Sequence, residues 1–203
     1  MTEKQWLTTT RPYRLTAHVE ATSSSRKLRL LGVACCSQIR HLFESPLLGQ
    51  AVDAAEQYAD GSIDGASLDC ACRLASGVYP RGNEGTAAVY CSSRDQFHIH
   101  LVLAGARAAA RNRGESKVQC DLIRDIIGNP FRPTSFSPTW RTDTAVSLAR
   151  MMYEPRDFGA MPILADALQD AGCDNDDILA HCRDANQVHV RGCWVLDLVL
   201  GKA

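Results

Sequence analysis

Residues 115–130 read ESKVQCDLIRDIIGNP, and this stretch decides the fold class. Val118, Leu122, Ile123, Ile126 and Ile127 recur at steps of three and four, the spacing that lines one face of a helix rather than one face of a strand. Gly128 follows the last apolar residue and Pro130 lies two further on, a pair that stops a helix. A helix with one apolar stripe must bury it against other elements, and the flanking sequence supplies more helices.

Upstream, Ser25 to Phe43 carries Leu28, Leu31, Cys35, Ile39 and Leu42 on one stripe, with Arg29, Gln38 and Arg40 off it. Ser24 and Ser25 offer caps at its start and Ser45-Pro46 closes it. Leu47 to Asp60 repeats the pattern through Leu48, Val52, Ala55 and Tyr58 before Gly61, and Ser67 to Ser76 is a further helix. The segment from Thr86 to Glu115 is Ala-rich in its second half, which favours helix, although Gln96 to Val102 also reads as a short strand. Downstream, the three prolines and two phenylalanines of Asn129 to Pro138 predict an extended connector whose aromatics dock on the core. Helices follow over Thr142–Tyr153, Met161–Ala171, Asp174–Arg183 and Val190–Leu200. The expectation is an all-α fold, a compact array of seven to nine amphipathic helices in one domain over 1–203. Gly77 to Gly85, GVYPRGNEG, makes 77–96 the candidate for a mobile loop or a domain seam.

Composition narrows the function classes. With 203 residues, 45% hydrophobic, 22% charged and a net charge of −1, the chain reads as an ordinary soluble globular protein without the global field that would draw it to nucleic acid or an anionic membrane. No run approaches the ~18 apolar residues of a membrane span. The N-terminus has no apolar leader, so the expected compartment is the cytosol. Nine cysteines are an odd number without a disulfide-like spacing, and they are expected to be thiols.

The strings RKLRLLGVACC, LIRDIIGNPFRP, MPILADALQDAGC and HVRGCWVLDLVLGK resemble a large paralogous family of planctomycete proteins without a known reaction. The resemblance covers roughly 1–62 and 115–203 and is weaker between them. It implies a helical fold, including a helical middle, and transfers no cofactor, partner or site residue.

Reactive side chains gather near the C-terminus, in AHCRDANQVHVRGCW from Ala180 to Trp194. A zinc reading asks for His181, Cys182, His189 and Cys193, with Cys173 as a further candidate, since thiolates and imidazoles are the right donors. His189 and Cys193, four apart, could share a helical face; His181 and Cys182, adjacent on a helix, point about 100° apart, which counts against their binding one ion. The competing reading is helix-end histidines and buried cysteines.

Other chemistry is thinner. Cys173, before the Asp174 helix, is the best-placed thiol for nucleophilic catalysis, but Asp174, Asp176 and Asp177 oppose its activation. His98 and His100 could chelate only if they lay on a strand. Arg107, Arg111 and Arg113 form one short basic run, too short to argue for nucleic acid. Arg132 and Arg191, at the edges of apolar segments, are expected to lock the C-terminal helices by binding helix-end carbonyls or Asp166, Asp170 or Asp197. The reading favoured by the sequence is therefore a protein–protein interaction or scaffolding module without cofactor, its partner unknown, with a small zinc-binding protein as the alternative.

Overall fold

In the computed structural model, which describes residues 1–78, 82–95, 97–111 and 114–202, the described residues form twelve α-helices and no strand. The all-α class holds, while the count exceeds seven to nine for identifiable reasons. Two helices precede the first one expected. Helix α1 (Glu3–Thr8) opens with a capping box, Thr2 accepting from the Gln5 N–H at 3.3 Å and the Gln5 side chain accepting from the Thr2 N–H at 3.0 Å. Helix α2 (Pro12–Val19) starts on a proline. Both are too short to display a full stripe. The third comes from the Ala-rich segment, which divides into α6 (Asn83–Ser92) and α7 (Ile99–Ala110), with His98 extended as the N-cap of α7.

The chain divides into two compact units, Met1–Ile123 and Arg124–Ala203. The division falls in α8 (Glu115–Ile127). The sequence marks 77–96 as the candidate for a mobile loop or a domain seam. Tyr79, Pro80, Arg81 and Gln96 of that segment, like Arg113 of the basic run, lie outside the described residues.

In the first unit, α3 (Ser25–Gln38) is buried at every position from Leu28 to Cys36, a central helix rather than one with a single stripe. It packs on α4 (Pro46–Ala59), α6 and α7, and α5 (Gly65–Gly77) closes on α4 and α6. Helix α7 approaches α6 at Gly105, where an added Cβ would meet the Asn83 carbonyl at 2.8 Å, so only glycine permits the contact. Arg29, expected on a polar face, is buried: its guanidinium donates to the carbonyls of Cys91 (2.8 Å) and Ser93 (3.0 Å) and lies over the Phe97 ring. These carbonyls close α6, and a rigid cation is a suitable partner for such orphan acceptors.

The second unit holds the end of α8, α9 (Asp143–Tyr153), α10 (Met161–Asp170), α11 (Asp176–Arg183) and α12 (Trp194–Leu200) around Met152, Leu164, Leu168, Ile178, Leu196 and Val199. The connector after α8 is irregular, as expected, and Phe136 packs on this core with Trp140 edge-on at 5.5 Å. Asn175 caps α11, accepting from the Ile178 N–H at 3.0 Å, and acids in its first turn with His181 and Arg183 in its last suit the helix dipole. Helix α12 begins at Trp194 and not at Val190, because Gly192, at φ +89°, turns the chain. Arg191 donates to the carbonyls of Tyr153 (2.9 Å) and Glu154 (3.1 Å) at the end of α9, while Arg132 reaches Asp177 at the surface at 3.4 Å. No helix among the described residues is long and apolar enough to cross a membrane.

Candidate metal centre

The turn that delays α12 builds a site. Asp184 to Gln187 reverses the chain after α11, with the Gln187 N–H donating to the Asp184 carbonyl at 3.0 Å. A second turn, Cys193 N–H to Val190 carbonyl at 3.0 Å, then carries the chain into α12. His189 therefore stands outside any helix and Cys193 is an N-cap, so they do not share a helical face; the turn between them brings them together instead. His181 enters from the last turn of α11, and Asp125 from the last turn of α8.

Four donor atoms, one each from Asp125, His181, His189 and Cys193, all lie within 4.8 Å of one another. Asp125 Oδ1 is 2.9 Å from His189 Nδ1 and 3.3 Å from His181 Nε2. Cys193 Sγ is 3.2 Å from His181 Nε2 and 3.9 Å from His189 Nδ1. A tetrahedral zinc ion, with bonds of about 2.0–2.3 Å, sets its ligand atoms about 3.3–3.7 Å apart; these four spacings lie within a few tenths of an ångström of that range, and the other two pairs lie within 4.8 Å. The second carboxylate oxygen of Asp125 accepts from the Val190 N–H at 2.9 Å, which fixes the carboxylate and presents one oxygen to the other donors.

The site is closed. The Asp125 side chain is fully buried, as is Cys193, and the side chains of His189 and His181 retain only 6% and 11% of their exposure. Around them the His181 and His189 rings meet edge to face at 4.9 Å, and Trp194 tilts against His181 at 5.1 Å. Trp194 also covers Gly128, where φ is +76° and an added Cβ would sit 3.2 Å from the indole, so a side chain there would be strained.

Electrostatics follow from this burial. Desolvation alone would push the Asp125 carboxyl up, but the hydrogen bonds and charge of His181 and His189 outweigh it and hold it below the usual carboxylate value. Burial, with Asp125 adding to it, pushes the Cys193 thiol well up, and the N–H groups of Leu196 and Val195 pull it back only in part. Without a metal the thiol keeps its proton; a bound divalent cation would take that proton's place. One thiolate, one carboxylate and two neutral imidazoles would then balance the two charges of a zinc ion.

Three of the four donors expected from sequence, His181, His189 and Cys193, are thus together, and Cys182 is not among them. Cys182 turns into the core of the unit, where burial pushes its thiol up to about 12. Cys173, also buried there, has a raised thiol pKa from desolvation, the opposite of an activated nucleophile. His100 is helical and bound through both ring nitrogens, to Thr16 and to Glu20. The residue missed is Asp125. A signal was present, since it stands seven residues after Val118 and three after Leu122, so a carboxylate interrupts the apolar stripe of α8. No family model matches the chain, and no curated protein or solved structure matches it either.

Proposed function

We propose that this is a zinc-binding helical protein whose C-terminal unit is built around a structural metal ion held by Asp125, His181, His189 and Cys193. The observation that supports this reading is the convergence of four donors of the right chemistry, distant in sequence for Asp125 and His181, within 4.8 Å of one another and with little solvent exposure. Hard magnesium or calcium would ask for more oxygens, whereas a nitrogen, sulfur and oxygen set of four suits zinc. Catalytic zinc sites hold three protein ligands and an open position; four protein donors and little exposure suit a structural ion. The ion's role would be to tie the end of α8, the end of α11, the following turn and the start of α12 into one unit.

Most of the apolar stripe residues behind an interaction or scaffolding role are taken up by the cores of the two units, while Leu74, Leu101, Met151 and Ile163 are left exposed; the donor cluster supplies the more specific argument. Cobalt substitution tests the metal reading. Cobalt-loaded protein should show the visible absorption of a tetrahedral site and a near-ultraviolet sulfur-to-metal band. The sulfur band should vanish in Cys193→Ser and persist in Cys182→Ser. Octahedral cobalt spectra, or a sulfur band that survives Cys193→Ser, would reduce the cluster to a hydrogen-bonded polar tie.

A further inference from the structure

In the first unit, α2 and α7 leave a cavity of about 90 Å³ between them, with Gln119 of α8 on its wall. We propose that this cavity binds a small monocarboxylate through Arg107. The sequence prepares it: His100, Leu103, Ala104 and Arg107 follow one another at steps of three, one and three, so they line one face of α7. Pro12, Tyr13 and Thr16 of α2 face them across the cavity.

The polar groups on its wall divide into committed and uncommitted ones. His100 Nδ1 lies 3.2 Å from Thr16 Oγ1, its Nε2 lies 2.9 Å from Glu20 Oε2, and the Tyr13 ring packs on it at 5.0 Å. Hydroxyl, imidazole and carboxylate in this order have the connectivity of a hydrolase triad. Thr16, however, is fully buried and its hydroxyl also lies 3.2 Å from the carbonyls of Pro12 and Tyr13, so no substrate carbon can reach it. The trio is a clamp that shapes the cavity. Gln119 is committed as well, its amide nitrogen donating to the Leu103 carbonyl at 2.9 Å. Arg107 and the Tyr13 hydroxyl differ: both residues are exposed, and neither group has a hydrogen-bond or ion-pair partner among the described residues. Neither neighbouring carboxylate lines the cavity: Glu20 is held by His100, and Glu115 accepts from the Gln119 amide at 3.3 Å.

Size and charge select the ligand. A volume of about 90 Å³ holds a small ligand such as a short-chain carboxylate and is far below a drug-sized pocket. One guanidinium matches one carboxylate through its two parallel N–H groups, and Pro12, Leu103 and Ala104 offer an apolar wall to a short tail. An inorganic phosphate would ask for several donors or a second cation, and beyond Arg107 this wall offers only the Tyr13 hydroxyl as an uncommitted donor.

Titration of the full chain with propionate, followed by amide NMR, tests the assignment, with propionamide and inorganic phosphate as comparison ligands and Arg107→Gln as the variant. The expected result is saturable shifts at Tyr13, His100 and Leu103 with propionate, weaker binding of both comparison ligands, and a loss of about tenfold or more in Arg107→Gln. The thermal midpoint of that variant should stay unchanged, since Arg107 supports no other contact. Shifts that do not saturate, equal shifts with propionamide, tighter binding of phosphate, or undiminished binding in Arg107→Gln would each overturn the proposal.

Discussion

A carboxylate without solvent exposure has to be compensated by the atoms that surround it, and Asp125 is compensated on both oxygens. His189 and His181 serve one and the Val190 backbone serves the other. That arrangement makes Asp125→Asn the informative substitution, because the amide fits the space but removes the anionic ligand. The expected outcome is a loss of zinc affinity greater than the about 10- to 100-fold that removal of an outer-shell partner costs, read by competition with a chromophoric chelator. Cys182→Ser should leave that affinity unchanged. At this scale His181, His189 and Cys193 were legible, because thiols and imidazoles crowded into fifteen residues announce themselves. Cys182 was legible as a letter and misleading as a ligand, since adjacency on a helix turns it about 100° from His181 and into the core. Asp125, 64 residues before His189, could enter the site only through the tertiary fold.

Between residues and the whole molecule, helix ends are managed by arginines. Arg29 serves the last carbonyls of α6, Arg191 those of α9, and Arg141 those of α12, reaching Leu198 at 2.7 Å and Val199 at 3.0 Å. Each fork of N–H donors satisfies acceptors that a helix leaves unmade. Arg191 is mostly shielded, with 13% side-chain exposure, so Arg191→Ala should lower the stability of the protein by about 1.5–3 kcal/mol in denaturant unfolding. Arg191→Lys should recover little of this, because a lysine cannot span two carbonyls with a planar fork. The sequence announced Arg191 as a lock through its place at an apolar edge. Arg29 escaped because its polar letter hid a buried position, and the helix around it is buried on all sides. Most helices were legible from stripes and stop signals. Among the exceptions, α1 and α2 carry their evidence in caps and a proline instead of periodicity, and the Ala-rich segment gave no sign of its division into α6 and α7.

For the molecule as a whole, the zinc reading assigns the metal to one unit. All four donors belong to Arg124–Ala203, and the first unit has its own core around α3. Chelation should therefore raise amide hydrogen exchange in α11, α12 and the turns between them, while α3, α6 and α7 keep their protection. Equal loss of protection in both units would contradict a metal that serves only one. The all-α class was legible at this scale, while the division inside α8 was not, because an unbroken helical stripe gives no sign of where one core ends and the next begins.

The most direct test of the zinc centre is elemental analysis of purified protein after dialysis against metal-free buffer and reconstitution with zinc. The account predicts one tightly held zinc per chain, lost in Asp125→Asn with Cys193→Ser. A stably folded protein that holds no zinc, with a thermal midpoint indifferent to zinc and to chelator, would contradict it.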